Sequence, residues 1–393
     1  MGGIIDQPLE LPCGLTLRNR LAKAAMAEAL ADADCLPNAA LQKPYEAWSG
    51  GHWGLVITGN VQVDVRHLGN PKDVALNEDV DQEKQLQAWK AWAASCSKNS
   101  TATIVQINHP GRQSFLGAGK RGVFEKTLSA SPIPVTIGNG RAASLLSRVM
   151  FGTPKEMTTA DIDDVVRRFA KTARLAADAG FAGAEIHAAH GYLLTQFMSA
   201  TTNKRTDAYG GSAAARVKIV VDIIRAVRAE VPKGFCIGIK VNSVDHQSKE
   251  ALRDCIEQLK LIEAAGIDFV EISGGQKSDR TLRREAFFLE FAEAIRSDLP
   301  NVLLMVTGGF RTREGIEDAL SNGSCDIVGI GRPAALEAAL PSKKLLGDGP
   351  ADGETKLLKQ KFEQPWLVNA LGMKTIGAGA ESKWYADQIP KLK

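Results

Sequence analysis

Two imidazoles and a phenol stand together in the run HAAHGYLLTQFMSATTNKRTDAYGGS, residues 187–212: His187, His190 and Tyr192. The apolar stretch from Phe181 to Ile186 before them reads as a buried strand, so all three leave one strand end. Such a set can hold a small polar group and deliver a proton to it. The i, i+3 histidine spacing would also suit a metal, with Glu185 on the same strand face as His187. A zinc or iron site needs another ligand, and no further His or Cys stands nearby in sequence, so no metal is expected. Other apolar runs end in usable groups. Gln106 carries an amide that both donates and accepts. Lys240 places a cation at a strand end. Gly308-Gly309 and Gly331-Arg332 could turn backbone N–H groups and one guanidinium toward a phosphate. Ala24, Ala25 and Met26 would let a flat ring approach the backbone, and Asn60 closes the second run.

These groups need a scaffold that brings many strand ends to one face. Eight short apolar runs cover residues 21–26, 54–61, 102–108, 183–188, 235–241, 268–273, 302–307 and 326–329. They are continuous rather than alternating, as in parallel strands buried on both sides. Helical patterns lie between them at 83–96, 159–179, 213–231, 249–265, 286–297 and 313–321. Thr158 and Thr159 are candidate caps for the second of these. The alternation predicts a (β/α)₈ TIM barrel, in which the reacting groups sit at the C-terminal ends of the strands. No G-x-G-x-x-G follows the first run, which argues against a dinucleotide-binding open sheet. Residues 9–20 are expected to form an N-terminal hairpin closing the barrel bottom. Residues 113–156, without a long periodic pattern, are expected to cross the mouth as a lid. The whole chain, 1–393, reads as one domain with a barrel core of about 17–345. A C-terminal extension, 346–393, carries Trp366, Trp384 and Tyr385 and would pack on the barrel or on a second subunit.

Composition narrows the class. At 44% hydrophobic and 24% charged, with a net charge of +3, the 393 residues are ordinary for a globular protein. Basic and acidic residues are interspersed, which points away from nucleic acid. The six cysteines include no C-x-x-C pair, so neither a zinc ribbon nor an iron–sulfur cluster is read. Residues 1–10 show no secretory signal. The most apolar helix is interrupted by Lys218, Asp222 and Arg225, so no membrane span is expected. The expected setting is the cytoplasm, as a monomer or homodimer.

The long pattern Asn203-x-Arg205-x-Asp207-x-Tyr209-Gly210-Gly211-Ser212, with Arg216 following, resembles the Old Yellow Enzyme family of flavin-dependent ene reductases. So does His187-x-x-His190-x-Tyr192 before it, and Gln106-x-x-His109-x-Gly111-Arg112 is consistent with it. The resemblance implies an FMN enzyme that takes hydride from NADPH or NADH and reduces α,β-unsaturated ketones or aldehydes. His187 and His190 would then hold the substrate carbonyl, and Tyr192 would protonate the α-carbon. Ala24, Ala25, Met26, Asn60, Gln106 and Lys240 would contact the flavin ring, with Gly308, Gly309, Gly331 and Arg332 at its phosphate. His109 and Arg112 would be structural in their turn, and Asp207 and Arg216 an ion pair. This chain has Ala25 where the family usually has Pro, and Ala27 where it has Thr or Cys. Ala29 stands where one subfamily has Tyr, and Lys240 where Arg is commoner. Two other readings stay open: a flavin-free phosphate-binding aldolase or isomerase using Lys240 as a Schiff-base amine, and a flavin-binding protein that has lost its activity.

Overall fold

All eight apolar runs form parallel strands in the computed structural model, which describes residues 3–122, 124–138, 141–243, 248–274, 281–347, 357 and 381–392. The strands are β1 (Leu21–Lys23), β2 (Leu55–Gln62), β3 (Ala102–Asn108), β4 (Gly183–Ala188), β5 (Cys236–Asn242), β6 (Phe269–Ser273), β7 (Leu303–Thr307) and β8 (Ile327–Ile330). They pair in chain order, and β1 pairs with both β2 and β8, so the sheet closes. Outside run α1 (Ala39–Gly50), α2 (Gln82–Ser95), α3 (Thr159–Ala179), α4 (Ala213–Glu230), α5 (Lys249–Ala264), α6 (Thr281–Arg296) and α7 (Arg313–Ser321). The (β/α)₈ barrel is therefore the observed fold. Thr158 caps α3 as expected. Its hydroxyl accepts from Asp161 N (3.1 Å), while the Asp161 carboxylate accepts from Thr158 N (2.8 Å).

Alternation along each strand decides what lines the barrel. The lower interior is apolar: Ile104, Phe269, Met305 and Ile327 are buried together with Leu17 from below. Leu17 belongs to the predicted hairpin, in which Leu9–Glu10 pairs antiparallel with Thr16–Leu17. Two residues further up, the same inward faces carry Gln106 on β3, Glu185 on β4, Lys240 on β5 and Glu271 on β6, all buried. The interior thus changes from hydrocarbon to ionisable groups toward the C-terminal ends.

Several expectations are corrected. β1 is shorter than read, because residues 25–26 leave the ladder after Ala24 N donates to Ile330 O (3.0 Å). Helix α1 escaped the periodicity reading because Pro44 interrupts its pattern. Asn38 caps it, and Tyr45 and Trp48 on its buried face pack edge to face at 5.1 Å. The stretch 113–156 contains a helix, Arg141–Phe151, where no periodic element was expected. Its base is tied down by Arg205, which donates to Ala130 O (3.2 Å) and Met157 O (2.6 Å). Arg205 also takes Asp207, and Arg216 takes Asp254 (2.6 Å), so the expected Asp207–Arg216 pair does not form. Of the C-terminal extension, residues 381–392 fold back on the barrel with Tyr385 and Ile389 fully buried. Trp366 and most of the extension lie outside the described residues. Among the described residues, no helix is long and apolar enough to cross a membrane.

Candidate active site

The turn after β4 builds the site. His190 (φ +59°) and Gly191 (φ +74°) are both left-handed, and Tyr192 N donates back to Ala189 O at 3.3 Å. This is the backbone of a hairpin-type reversal, and it returns Tyr192 toward the strand end it has just left. Glycine adopts that conformation freely; histidine at such a φ costs about 1–2 kcal/mol. Two side chains hold it there: Asn242 Oδ1 accepts from His190 N (2.9 Å), and Gln113 Nε2 donates to His190 O (2.8 Å). Gln113 opens the excursion after β3 and Asn242 ends β5, so three segments fix one histidine.

The two imidazoles touch. His190 Nδ1 lies 3.2 Å from His187 Nε2, and Ser273 Oγ lies 3.4 Å from His190 Nε2. Ala189 N donates to His187 Nδ1 (3.4 Å), which places the His187 proton on Nε2. His187 then donates to His190 Nδ1, and His190 keeps its own proton on Nε2. Burial pushes both rings down; the His190 and Lys240 charges assist at His187, and Lys240 assists against Glu271 at His190, which lies at about 4. Both are neutral N–H donors at physiological pH. The Tyr192 ring packs 4.9 Å from His187. Burial and the Asp73 charge push its phenol up to about 12, against a hydrogen bond with Asn60, so it stays protonated.

A β-bulge explains how Asn60 reaches the site. β2 pairs with β3 in register up to Ile57↔Ile104, then resumes at Asn60↔Gln106, one residue late. The extra residue turns the Asn60 side chain inward, opposite Gln106. Gly59 in the bulge has no room for a side chain: a Cβ would lie 2.4 Å from Met26 O. Asn60 Oδ1 is buried without a donor. Gln106 donates Nε2 to Glu185 Oε2 (2.5 Å), which leaves Oε1 as its acceptor end. Lys240 Nζ sits 2.8 Å from Glu271 Oε1. It is the charged partner of a carboxylate, not the free amine that a Schiff base requires. Across the mouth, Gly308 (φ +124°) and Gly309 (φ +90°) adopt conformations that L side chains rarely take. At Gly331 an added Cβ would meet Met26 Sδ only at 3.7 Å, so Met26 and Gly331 line the same edge. Arg332 reaches that edge with its guanidinium already 2.9 Å from Glu381 Oε1.

These features fit a flavin mononucleotide. An orphaned buried acceptor at Asn60 and the acceptor end of Gln106 suit a ring N–H, Lys240 suits an electron-rich edge, and open glycine backbone suits a phosphate. Sequence reading missed Ser273, Asn242, Gln113 and Glu271. Each acts through a partner distant in sequence, and no local pattern marks it.

A second titratable cluster is structural. Asp64, His67 and His109 bring ligand-type atoms within 4.8 Å of one another. Arg66 engages both Asp64 oxygens. His109 Nδ1 accepts from Gly111 N (3.0 Å), so its other nitrogen carries the proton. Arg66 supplies the positive charge beside Asp64, and His109 serves its turn as expected.

Asp73, whose charge bears on Tyr192, is buried, and burial raises its carboxyl to about 7 despite hydrogen bonds from Gln62 and Asn70. A carboxyl raised in the folded state favours folding below its ordinary pKa, and that contribution is lost as pH rises through about 7. Asp73→Asn is therefore expected to raise Tm at about pH 8 and to leave it nearly unchanged at about pH 4. Calorimetry at the two values checks this; equal effects at both would assign the change to packing.

Residues 5–345 of the chain match the NADH:flavin oxidoreductase / NADH oxidase family. An NADH-dependent flavin oxidoreductase of Talaromyces variabilis is 46% identical over 404 residues, covering 99% of this chain and 98% of that protein. Another, of Neonectria sp. (strain DH2), is 45% identical over 403 residues; the match covers 96% of this chain but only 53% of that longer protein. Among solved structures, morphinone reductase superposes with a TM-score of 0.69 at 21% identity, covering 86% of this chain and 88% of that one, a likeness of fold.

Proposed function

The chain belongs to the NADH:flavin oxidoreductase / NADH oxidase family, an FMN-using enzyme family, and from that premise we propose that it is an ene reductase. Its substrates would be α,β-unsaturated ketones and aldehydes, reduced at the activated C=C bond with NADH or NADPH. The observation that carries this is the joint placement of His187, His190 and Tyr192 by one turn, with a linked pair of neutral imidazoles beside a protonated phenol.

Bound FMN would supply hydride chemistry at the barrel mouth. The protein's own groups do the rest. The imidazole N–H groups, which leave the His187–His190 and His190–Ser273 contacts as a carbonyl oxygen enters, donate to that oxygen and favour the charge that grows there in the transition state. Because both rings are neutral, they polarise the oxygen without protonating it. Tyr192 Oη holds the proton that goes to the α-carbon, as general acid. Asn60 and Gln106 orient the ring edge, and Lys240 places positive charge beside it. The aldolase reading loses its amine to Glu271. The inactive-protein reading leaves the shared support of His190 by Asn242 and Gln113 without purpose. The same proposal takes the chain as one barrel domain, monomeric or homodimeric, working on small molecules in the cytoplasm.

The purified protein is expected to be yellow, to release FMN rather than FAD on denaturation, to bleach anaerobically with NADH or NADPH, and to regain colour with an enone. Recovery of FAD would overturn the cofactor assignment. Bleaching with no return on adding enones would overturn the substrate class.

A further inference from the structure

Directly beneath the site, the barrel holds two carboxyl groups and one ammonium. Lys240 Nζ is 2.8 Å from Glu271 Oε1. The Glu271 carboxyl group lies beside that of Glu185, and Glu185 Oε2 accepts from Gln106 Nε2 at 2.5 Å. The exposures of Lys240, Glu271, Glu185 and Gln106 are 3%, 0%, 0% and 2%. Two ionised carboxylates and one ammonium would leave a net negative charge away from water, at a cost of several kcal/mol. The hydrogen bonds leave a matching deficit. Apart from the Lys240 ion pair and the Thr307 hydroxyl beside Glu271, Glu185 Oε1 and the Glu271 oxygens are buried with no donor. One proton between the carboxyl groups removes both deficits: it neutralises the charge and is the missing donor.

The surroundings select its holder. Burial and the Glu271 charge push Glu185 well above the usual carboxylate range, against Lys240 and Gln106. Burial also pushes Glu271 up, but Lys240, Glu185 and the neighbouring Thr307 hydroxyl outweigh it and hold Glu271 ionised. His187 and His190, above the pair, are neutral. We propose that Glu185 and Glu271 share one proton carried by Glu185, and that this acid–carboxylate pair positions Lys240 and Gln106 and thereby sets the potential of the bound flavin. The redox part rests on the FMN reading above; the shared proton does not.

The pair gives each neighbour a defined task. Glu271 offsets most of the Lys240 charge, so the ring edge meets an ion pair rather than a bare cation. The neutral acid engages the Gln106 amide and turns Oε1 toward the ring. Glu185 and Glu271 are thus positioning residues, and a charge-conserving substitution separates them. Glu185→Gln replaces a neutral acid with a neutral amide that can still donate to Glu271. It is expected to keep FMN affinity, and the preference for reduced over oxidised FMN, within about threefold of wild type. Glu271→Gln removes the one negative charge. It is expected to favour reduced over oxidised FMN by tenfold or more, about +30 mV for a two-electron couple. Lys240→Met should shift the potential the opposite way.

Difference infrared spectra of the purified protein at neutral pH form the second measurement. A protonated-carboxyl C=O band should be present in wild type and absent from Glu185→Gln, and Asp73→Asn identifies the contribution of Asp73. A Glu185→Gln potential that rises as in Glu271→Gln, or a wild-type spectrum with no Glu185 band, overturns the proposal. If the wild type bound no FMN, the functional reading would fail while the infrared result still decided the shared proton.

Discussion

Alanine at both His187 and His190 is expected to abolish phenol binding and to slow enone reduction by about 10²-fold or more. Phenols stacked on a flavin beneath a histidine pair give a long-wavelength charge-transfer band, so binding can be read without turnover. The size of the effect follows from the state of the rings. Both are neutral, and one hydrogen-bonded chain, Ala189 N to His187 to His190 to Ser273, fixes their protons. Once turned from that chain onto the bound carbonyl, these neutral donors favour the charge that develops on its oxygen. His190 brings a complication, because its φ of +59° makes any replacement act on the backbone as well. Asparagine tolerates that region better than alanine. His187→Ala with His190→Asn therefore separates loss of the imidazole donors from collapse of the turn. If kinetics and phenol binding survive in both double variants, the carbonyl is held elsewhere.

The strand ends were legible because parallel strands buried on both sides are written as continuous apolar runs. The polar residues in and just after the C-terminal end of each run mark the mouth. His187, Gln106, Lys240 and the glycines after β7 and β8 were found that way, and the structure places them at one end of the barrel. What the sequence withheld is partner choice. Nothing near Lys240 names Glu271, which comes from the next strand through the register Lys240↔Glu271. Nothing near Arg332 names Glu381, and Asp207 takes Arg205, two residues away, rather than Arg216. The bulge that aims Asn60 inward is likewise invisible. It requires that Gly59 lack a side chain, and it shows only once Met26 is known to lie against it. Helix α1 was hidden for a local reason, Pro44 in its interior, yet its aromatic face holds the outer wall of the first strands.

Tyr192→Phe should separate the two halves of the catalytic cycle. The substitution removes the hydroxyl and its proton but little volume, and the ring can keep its edge contact with His187 at 4.9 Å. The half-reaction driven by NADH or NADPH draws no proton from Tyr192, so its rate should stay close to wild type. The half-reaction with an enone needs a proton at the α-carbon and should slow by about 10²–10⁴-fold, the range for losing a general acid. The environment supports that role. With its pKa near 12, the phenol is fully protonated at neutral pH, so each enzyme molecule starts with the proton in place. Asn60, which hydrogen-bonds the hydroxyl, favours the phenolate left after transfer and opposes the burial that disfavours it. The turn through His190 and Gly191 puts the phenol beside the His187 and His190 rings instead of further along the chain. Stopped-flow measurement of each half-reaction decides the matter. Equal slowing of both would make Tyr192 a residue that positions ligands. No change in either would mean that solvent or a group of the 113–156 excursion delivers the proton. Slowing confined to the enone half, with the charge-transfer band of bound phenol retained, is the result that only a proton-donating Tyr192 explains.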